Sequence, residues 1–332
     1  MRPALIPALL LAGCATVPPP PTTLAESVTA RGETEPVGTA AVDAADDPAI
    51  WRNAGNPAAS LIVATDKKSG LWVYGLDGKR RDFVQAGRVN NVDLREVGGR
   101  IVVAASDRGD VANAKIALFT LDGRSGKLVA AGQHPAGAGE AYGLCLGVID
   151  ARLYAFVVIK DGTVRQVDLE SGATVRTMTL ATQSEGCVVD DRTATLYVAE
   201  EDVGIWRFDA RPGGSIAPAS VAKVDGRHLV ADVEGLAIAA VGADAGWLVA
   251  SSQGDNAYQL FRLPDLSPAG RFRVVGGRYG ATSETDGIEV VLGDFGPGFP
   301  GGLMVVQDGD NAPAAQNFKL VAWDDVRAAL GL

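Results

Sequence analysis

Apolar residues fall along the chain in a recurring triplet of short runs. The first run of each triplet is brief, with an acidic or small residue and a turn residue before the apolar positions. It reads Asp46-Asp47-Pro48-Ala49-Ile50-Trp51, Asn91-Val92-Asp93-Leu94, Tyr142-Gly143-Leu144, Glu185-Gly186-Cys187-Val188, Glu234-Gly235-Leu236 and Asp286-Gly287-Ile288. With Pro48, Val92, Gly143, Gly186, Gly235 and Gly287 as equivalents, the spacings are 44, 51, 43, 49 and 52. The second run is near-continuously apolar and ends in polar residues, at 61–68, 101–108, 153–161, 196–201, 247–253 and 303–308. The third alternates, as in Leu71-Trp72-Val73-Tyr74 and Ile205-Trp206-Arg207-Phe208, and several copies run into turns such as Asp77-Gly78 and Asp122-Gly123. Alternation bounded by such turns predicts strands joined as hairpins. A fourth, weaker strand follows in the first five units, for example at 82–86 and 271–275.

Units of about 40–50 residues with four strands each are the pattern of a β-propeller. The predicted fold is therefore all-β, a six-bladed propeller over residues 26–332. The sixth unit lacks a fourth strand, because the chain ends after a helical tail at 324–330. Residues 26–37 are available to supply the missing strand and so close the last blade, which would remove an open sheet edge. A β-sandwich followed by a second all-β domain is the alternative, and the regular spacing disfavours it.

Ahead of this lies an address. Arg2 precedes the apolar run 4–11, which is too short to span a bilayer. Residues 1–13 read as a signal peptide whose Leu11-Ala12-Gly13-Cys14 ending resembles a bacterial lipobox, with Cys14 as the lipidated residue. Residues 14–25, with four consecutive prolines, form an extended tether. The expected location is the cell envelope, on the outer membrane, facing either the periplasm or the outside. Contact with the membrane is expected through the lipid alone.

The chain carries 40 Asp+Glu against 30 Lys+Arg, a net charge of −10, with only 3 Cys and 2 His. That excludes a disulfide-stapled scaffold and a His-rich metal site, and it argues against nucleic acid as a partner. The propeller gives the acidity a place, because the first strand of each blade lines the central channel. Asp46, Asp47, Asp93, Glu185, Asp232, Glu234 and Asp286 would converge there, with Asp161, Glu200, Glu201 and Asp308 at second-strand ends. Converging carboxylates repel unless cations neutralise them, and an all-oxygen set points to Ca²⁺. Lys67-Lys68, Arg108 and Lys160 end the second strands of three consecutive blades, so a cationic arc adjoins the acidic one. That combination suits a polyanion held by both metal and Lys/Arg. No Cys-x5-Arg loop, Arg-His-Gly-x-Arg, Walker A loop or Gly-x-Ser-x-Gly elbow is present, so any hydrolysis would be metal-assisted. Cys145 and Cys187 occupy matching places in adjacent blades, either as a pair or as buried thiols.

These residues resemble a known family. Asp46-Asp47-Pro48-Ala49-Ile50-Trp51, Asp66-Lys67-Lys68-Ser69-Gly70-Leu71, Asn90-Asn91-Val92-Asp93-Leu94-Arg95, Ser184-Glu185-Gly186, Ala199-Glu200-Glu201-Asp202, Asp232-Val233-Glu234-Gly235-Leu236, Thr285-Asp286-Gly287-Ile288 and Gln316-Asn317-Phe318-Lys319 are similar to the motifs of the β-propeller phytases, in order and spacing. The resemblance implies a monomeric, Ca²⁺-dependent hydrolase of phytate (myo-inositol hexakisphosphate) or its calcium complex. It implies that Lys67, Arg108, Tyr142, Lys160, Glu185, Glu201, Asp232 and Glu234 surround the scissile phosphate. Lys68, with Arg108 and Lys160, would hold a neighbouring phosphate. Asp46 would join Glu185, Glu201, Asp232 and Glu234 around catalytic calcium, and Asp161 stands where the family often has Glu. Asp47, Asp286, Gln307 and Asp308 would form a stabilising calcium site between the first and last blades. Two other classes fit the pattern less well: a calcium-stabilised binding propeller without catalysis, and a calcium-dependent lactonase or esterase, which has no use for a Lys/Arg clamp.

Overall fold

The computed structural model describes residues 24–40 and 43–332. The expected signal peptide, Cys14 and all of the tether but its last two residues lie outside the described residues. The described chain forms a ring of six sheets, antiparallel but for one added edge strand. The inner strands are Ala45–Trp51, Val89–Val97, Ala141–Ile149, Ser184–Asp190, Val233–Val241 and Ile288–Leu292. Each touches the inner strand of the blades on either side, and the sixth returns to the first. These are the six first runs of the triplets, and the second and third runs pair outward from them in sequence order.

The near-continuous apolar runs have a physical reason. A blade is covered on both faces, so both sets of side chains on its central strands are buried. Six hydrophobic clusters result, one between each pair of neighbouring blades. The one that seals the ring joins Ile50, Ile62 and Tyr74 of blade one to Leu303, Phe318 and Leu320 of blade six.

The closing segment does two jobs where one was expected. Gly32–Glu33 pairs antiparallel with Leu320 and Lys319 and supplies the fourth strand of blade six. Backbone bonds from Arg31 to Leu320 (2.8 Å), Thr34 to Phe318 (2.9 Å) and Val37 to Gln316 (2.9 Å) extend that edge. Glu26–Thr29 instead runs parallel to Pro268–Val275 and adds a fifth strand to blade five, burying Val28. The buried Lys319 ammonium fixes the register by bonding Glu33 (2.7 Å) and pairing with Asp308 (3.2 Å). Arg31 also bonds Asp325 of the terminal helix Trp323–Leu330 (2.7 Å). The two cysteines left open by the sequence form a disulfide, which links the inner strands of blades three and four with their Cα atoms 5.7 Å apart.

The recurring acid-glycine pair explains how the inner strands crowd the axis. A Cβ on Gly143 would lie 1.9 Å from the Glu185 carbonyl oxygen, one on Gly186 2.1 Å from that of Glu234, and one on Gly235 2.6 Å from that of Asp286. The missing side chain lets each blade lay its backbone on the next. The Gly235 and Gly287 N–H groups bond the carbonyls of Asp286 (2.8 Å) and Asp46 (3.0 Å). The acidic residues before Gly186, Gly235 and Gly287 are thereby delivered to one end of the channel, and Tyr142, before Gly143, to the same end.

Candidate active site

At this mouth three carboxylates meet. Glu185, Glu201 and Glu234 each bring one oxygen to within 4.8 Å of the others, and all three residues are buried. They come from the inner strand of blade four, the end of its second strand, and the inner strand of blade five. Glu185 is pushed well above the ordinary carboxyl range by burial and then by Asp46 and Asp286, and Glu234 by burial and then by Glu185 and Asp286. Burial raises Glu201 as well, against a hydrogen bond from Gln183 (2.7 Å). Asp232 is raised by burial and by the adjacent Asp202.

Asp46 lies beside this group but is engaged by a cation. The Lys67 ammonium donates to Asp46 (2.8 Å) and Asp286 (3.0 Å) and pairs with Asp43. Burial opposes its charge, yet Asp46, Asp286 and Glu185 outweigh that and raise it above its ordinary value. Lys68 is exposed and, among the described residues, pairs with Asp43 (3.1 Å). Asp286 rises to about 7, through burial and then Asp46 against the relief from Lys67.

Facing the acids is an aromatic platform. Tyr142 carries the Lys160 ammonium 4.6 Å from its ring centroid and the Arg108 guanidinium 5.2 Å away. Such cation–π contacts hold two cations at fixed places without neutralising them. Arg108 also pairs with Glu140 (3.1 Å) and donates to Asn90 (2.5 Å).

The remaining expected ligands are distributed differently. Asp46 and Asp47 lie in a bulge between Ala45 and Pro48, where the strand is re-aimed: Asp46 turns to the mouth, while Asp47 turns into the channel and accepts the Val92 N–H (3.0 Å). Asp308 pairs with Lys319 and accepts from Ser283 (3.3 Å). Gln307 accepts the Asp286 N–H (2.9 Å) and donates to the Ala45 carbonyl (3.3 Å), stitching blade six to blade one. Asp161 is exposed and caps its own turn by accepting from Thr163 (3.0 Å). Glu200, also at a second-strand end, is fully used by Thr182, Ala181 and Trp206.

Asp43, Asn90, Asn91, Glu140, Gln183 and Gln253 join the site without having been assigned a role from the sequence. Asn90-Asn91 stood inside a recognised motif. Gln253, which donates to Asp286 (2.6 Å), ends the second run of its unit; Asp43, Glu140 and Gln183 carry no spacing signal, because each acts as a partner to a site residue rather than as a repeat.

The donor set fits a hard divalent cation. It is all oxygen, and two buried oxygens, Asp46 Oδ2 and Glu201 Oε1, have no hydrogen-bond partner. A pH dependence follows. Asp286 at about 7 and the channel residue Glu289 at about 8, raised chiefly by burial, bind protons in the fold that the unfolded chain releases near pH 4. The folded state thus holds more protons, and stability falls as pH rises between about 4 and 8. Scanning calorimetry in chelator should show a lower midpoint at pH 8 than at pH 5. A hard divalent cation should raise it more at pH 8, with each site saturated at 100 times its Kd adding about 2.7 kcal/mol. A midpoint indifferent to pH in chelator would contradict the buried carboxylate cluster.

Comparison with known proteins agrees with this geometry. The family described as Phytase matches residues 4–332. A 3-phytase of Bacillus subtilis (strain 168) is 39% identical over 327 residues, covering 92% of this chain and 85% of the relative. The six-bladed ring, its acidic mouth and this match lead to one conclusion: the chain belongs to the phytase family.

Proposed function

We propose that the chain is a calcium-dependent 3-phytase that hydrolyses phosphate monoesters of phytate at the channel mouth. The observation that carries this reading is the juxtaposition of two sets of groups at one mouth. Glu185, Glu201 and Glu234 converge there, and Lys67, Arg108 and Lys160 flank them. Neither set alone suits a polyphosphate, but together they recognise both its charge and its metal.

Glu185, Glu201 and Glu234, with Asp46 and Asp232 beside them, are the residues that would hold calcium. Calcium bound there supplies positive charge that offsets the carboxylates and polarises phosphoryl oxygens. The protein's own groups do the rest. Arg108 and Lys160, fixed on the Tyr142 ring, bind the phosphoryl oxygens and stabilise their charge as the P–O bond breaks. Lys67 adds a third cation from blade one, and Lys68 holds a neighbouring phosphate. Water attacks phosphorus in line with the departing inositol oxygen, and Glu185 or Glu201 takes its proton. The products are inorganic phosphate and a lower inositol phosphate, with no phosphoenzyme. The lipobox-like leader supports attachment to the cell envelope by a lipid on Cys14.

Phosphate release from phytate, followed across a calcium titration with product chromatography, tests the reading. Activity should rise with calcium and vanish in excess chelator. Release that persists in chelator would remove the calcium requirement. Turnover of lactones without release of phosphate would replace a phytase by an esterase.

A further inference from the structure

Between the cationic and acidic halves of the mouth lies one buried amide. Asn90 is the second residue of the inner strand of blade two and is 1% exposed. Its carbonyl oxygen accepts from the Arg108 guanidinium (2.5 Å), and its NH2 donates to Glu185 Oε1 (2.6 Å). Asn91 supports the same carboxylate: with its NH2 turned to the acceptors around it, it donates to Glu185 (3.2 Å) and to the Tyr142 carbonyl (2.8 Å).

We propose that Asn90 is a positioning residue that locks the phosphate-facing Arg108 to the metal-facing Glu185, so that both halves of the site are set as one unit. The proposal rests on the phytase reading of this mouth. An amide is the side-chain group that offers a donor and an acceptor in one plane and carries no charge. Direct contact between Arg108 and Glu185 would neutralise both. An interposed amide aligns them and leaves the guanidinium its charge for phosphate and the carboxylate its charge for a cation. Glu185 needs such a hold, because Asp46, Asp286 and Glu201 all repel it. Arg108 needs it because its other fixed contacts are one ion pair, with Glu140, and one ring face.

Two variants test the bridge. Asn90→Asp loses the donor to Glu185 and sets a carboxylate against the Arg108 guanidinium. Asn90→Leu loses both hydrogen bonds. Outer partners of metal ligands change activity or affinity by about 10–100-fold when replaced. Both variants should therefore lose kcat on phytate in that range. KM should rise in both, because Arg108 is neutralised in Asn90→Asp and released in Asn90→Leu. Calcium binding by titration calorimetry, in the absence of substrate, should be weaker in Asn90→Leu by about tenfold. A purely structural role would instead lower the thermal midpoint and leave the KM and calcium affinity of the folded protein unchanged. Wild-type kcat or wild-type KM in Asn90→Asp, or unaltered calcium affinity in Asn90→Leu, would overturn the proposal. Should Asn90→Leu fail to fold, the kcat and KM of Asn90→Asp decide it. Should the wild-type protein release no phosphate from phytate, the phytase reading fails by itself, and the calorimetry still tests the bridge.

Discussion

Glu185→Gln should cut phosphate release from phytate by at least about a hundredfold while the thermal midpoint in chelator stays level or rises. The split follows from where Glu185 sits. It is buried, and Asp46, Asp286 and Glu201 all oppose its charge, with Lys67 the main relief. An amide of the same shape still accepts the Asn90 N–H (2.6 Å) but brings no charge into the repulsive group. Folding therefore loses nothing, whereas cation binding and proton acceptance lose an oxygen that no neighbour replaces. Glu201→Gln should behave alike, since one of its oxygens is buried without a partner. Steady-state kinetics at saturating calcium beside thermal denaturation in chelator would check both. Near-wild-type rates in both variants would remove their proposed role in taking the proton from water. Equal losses of activity and stability would make them structural.

Gly186→Ala should open the ring with a single methyl group. Its Cβ would stand 2.1 Å from the Glu234 carbonyl oxygen and 3.2 Å from the Gly235 Cα, both backbone atoms of the next blade. A rotamer change cannot relieve contact with backbone, so the inner strands of blades four and five must separate. Overpacking in rigid surroundings costs about 1–3 kcal/mol, and backbone contact places this case at the upper end. Because Glu185 precedes Gly186 and Glu234 belongs to the displaced strand, the same shift opens the carboxylate triad. Urea denaturation should show the lost stability, and calcium affinity should fall with it. A variant with unchanged midpoint and affinity would mean that the blades are not held backbone to backbone.

The acid-glycine pairs were legible in the sequence because both halves of the pair have a geometric reason to recur. Glycine permits the close approach, and the acid before it points to the mouth. From that recurrence the blade order, the inner strands and the meeting of Glu185 with Glu234 could be read, whereas Asp93, expected beside them, turns to Arg95 (2.8 Å). Partnership was not legible in the same way. Strand character in Glu26–Thr29 does not say which edge it will cover, and it joins blade five although blade six was the obvious vacancy. Asp46 and Asp47 read as one motif, yet at the bulge one meets Lys67 and the other Val92. Asn90 carries no charge and belongs to no repeat, so its bridging position emerges only when blades two and four are brought together. The cysteines showed matching blade positions, but pairing depends on side-chain direction across an interface.

The seam between the first and last blades governs when this protein can act. Asp46 and Lys67 belong to the earliest blade, and Asp286 to the latest; Lys67 bonds both aspartates. Residues 26–33, made early in synthesis, find their partners at 268–275 and 319–320, near the end of the chain. A growing chain thus carries blades without a working mouth until its last blade is present. Folding must wait for contacts of very long sequence separation, which slows it. Completion of the circle then acts as a quality check: a truncated or misclosed copy lacks the shared Lys67 junction and keeps only the Arg108 and Lys160 side of the mouth.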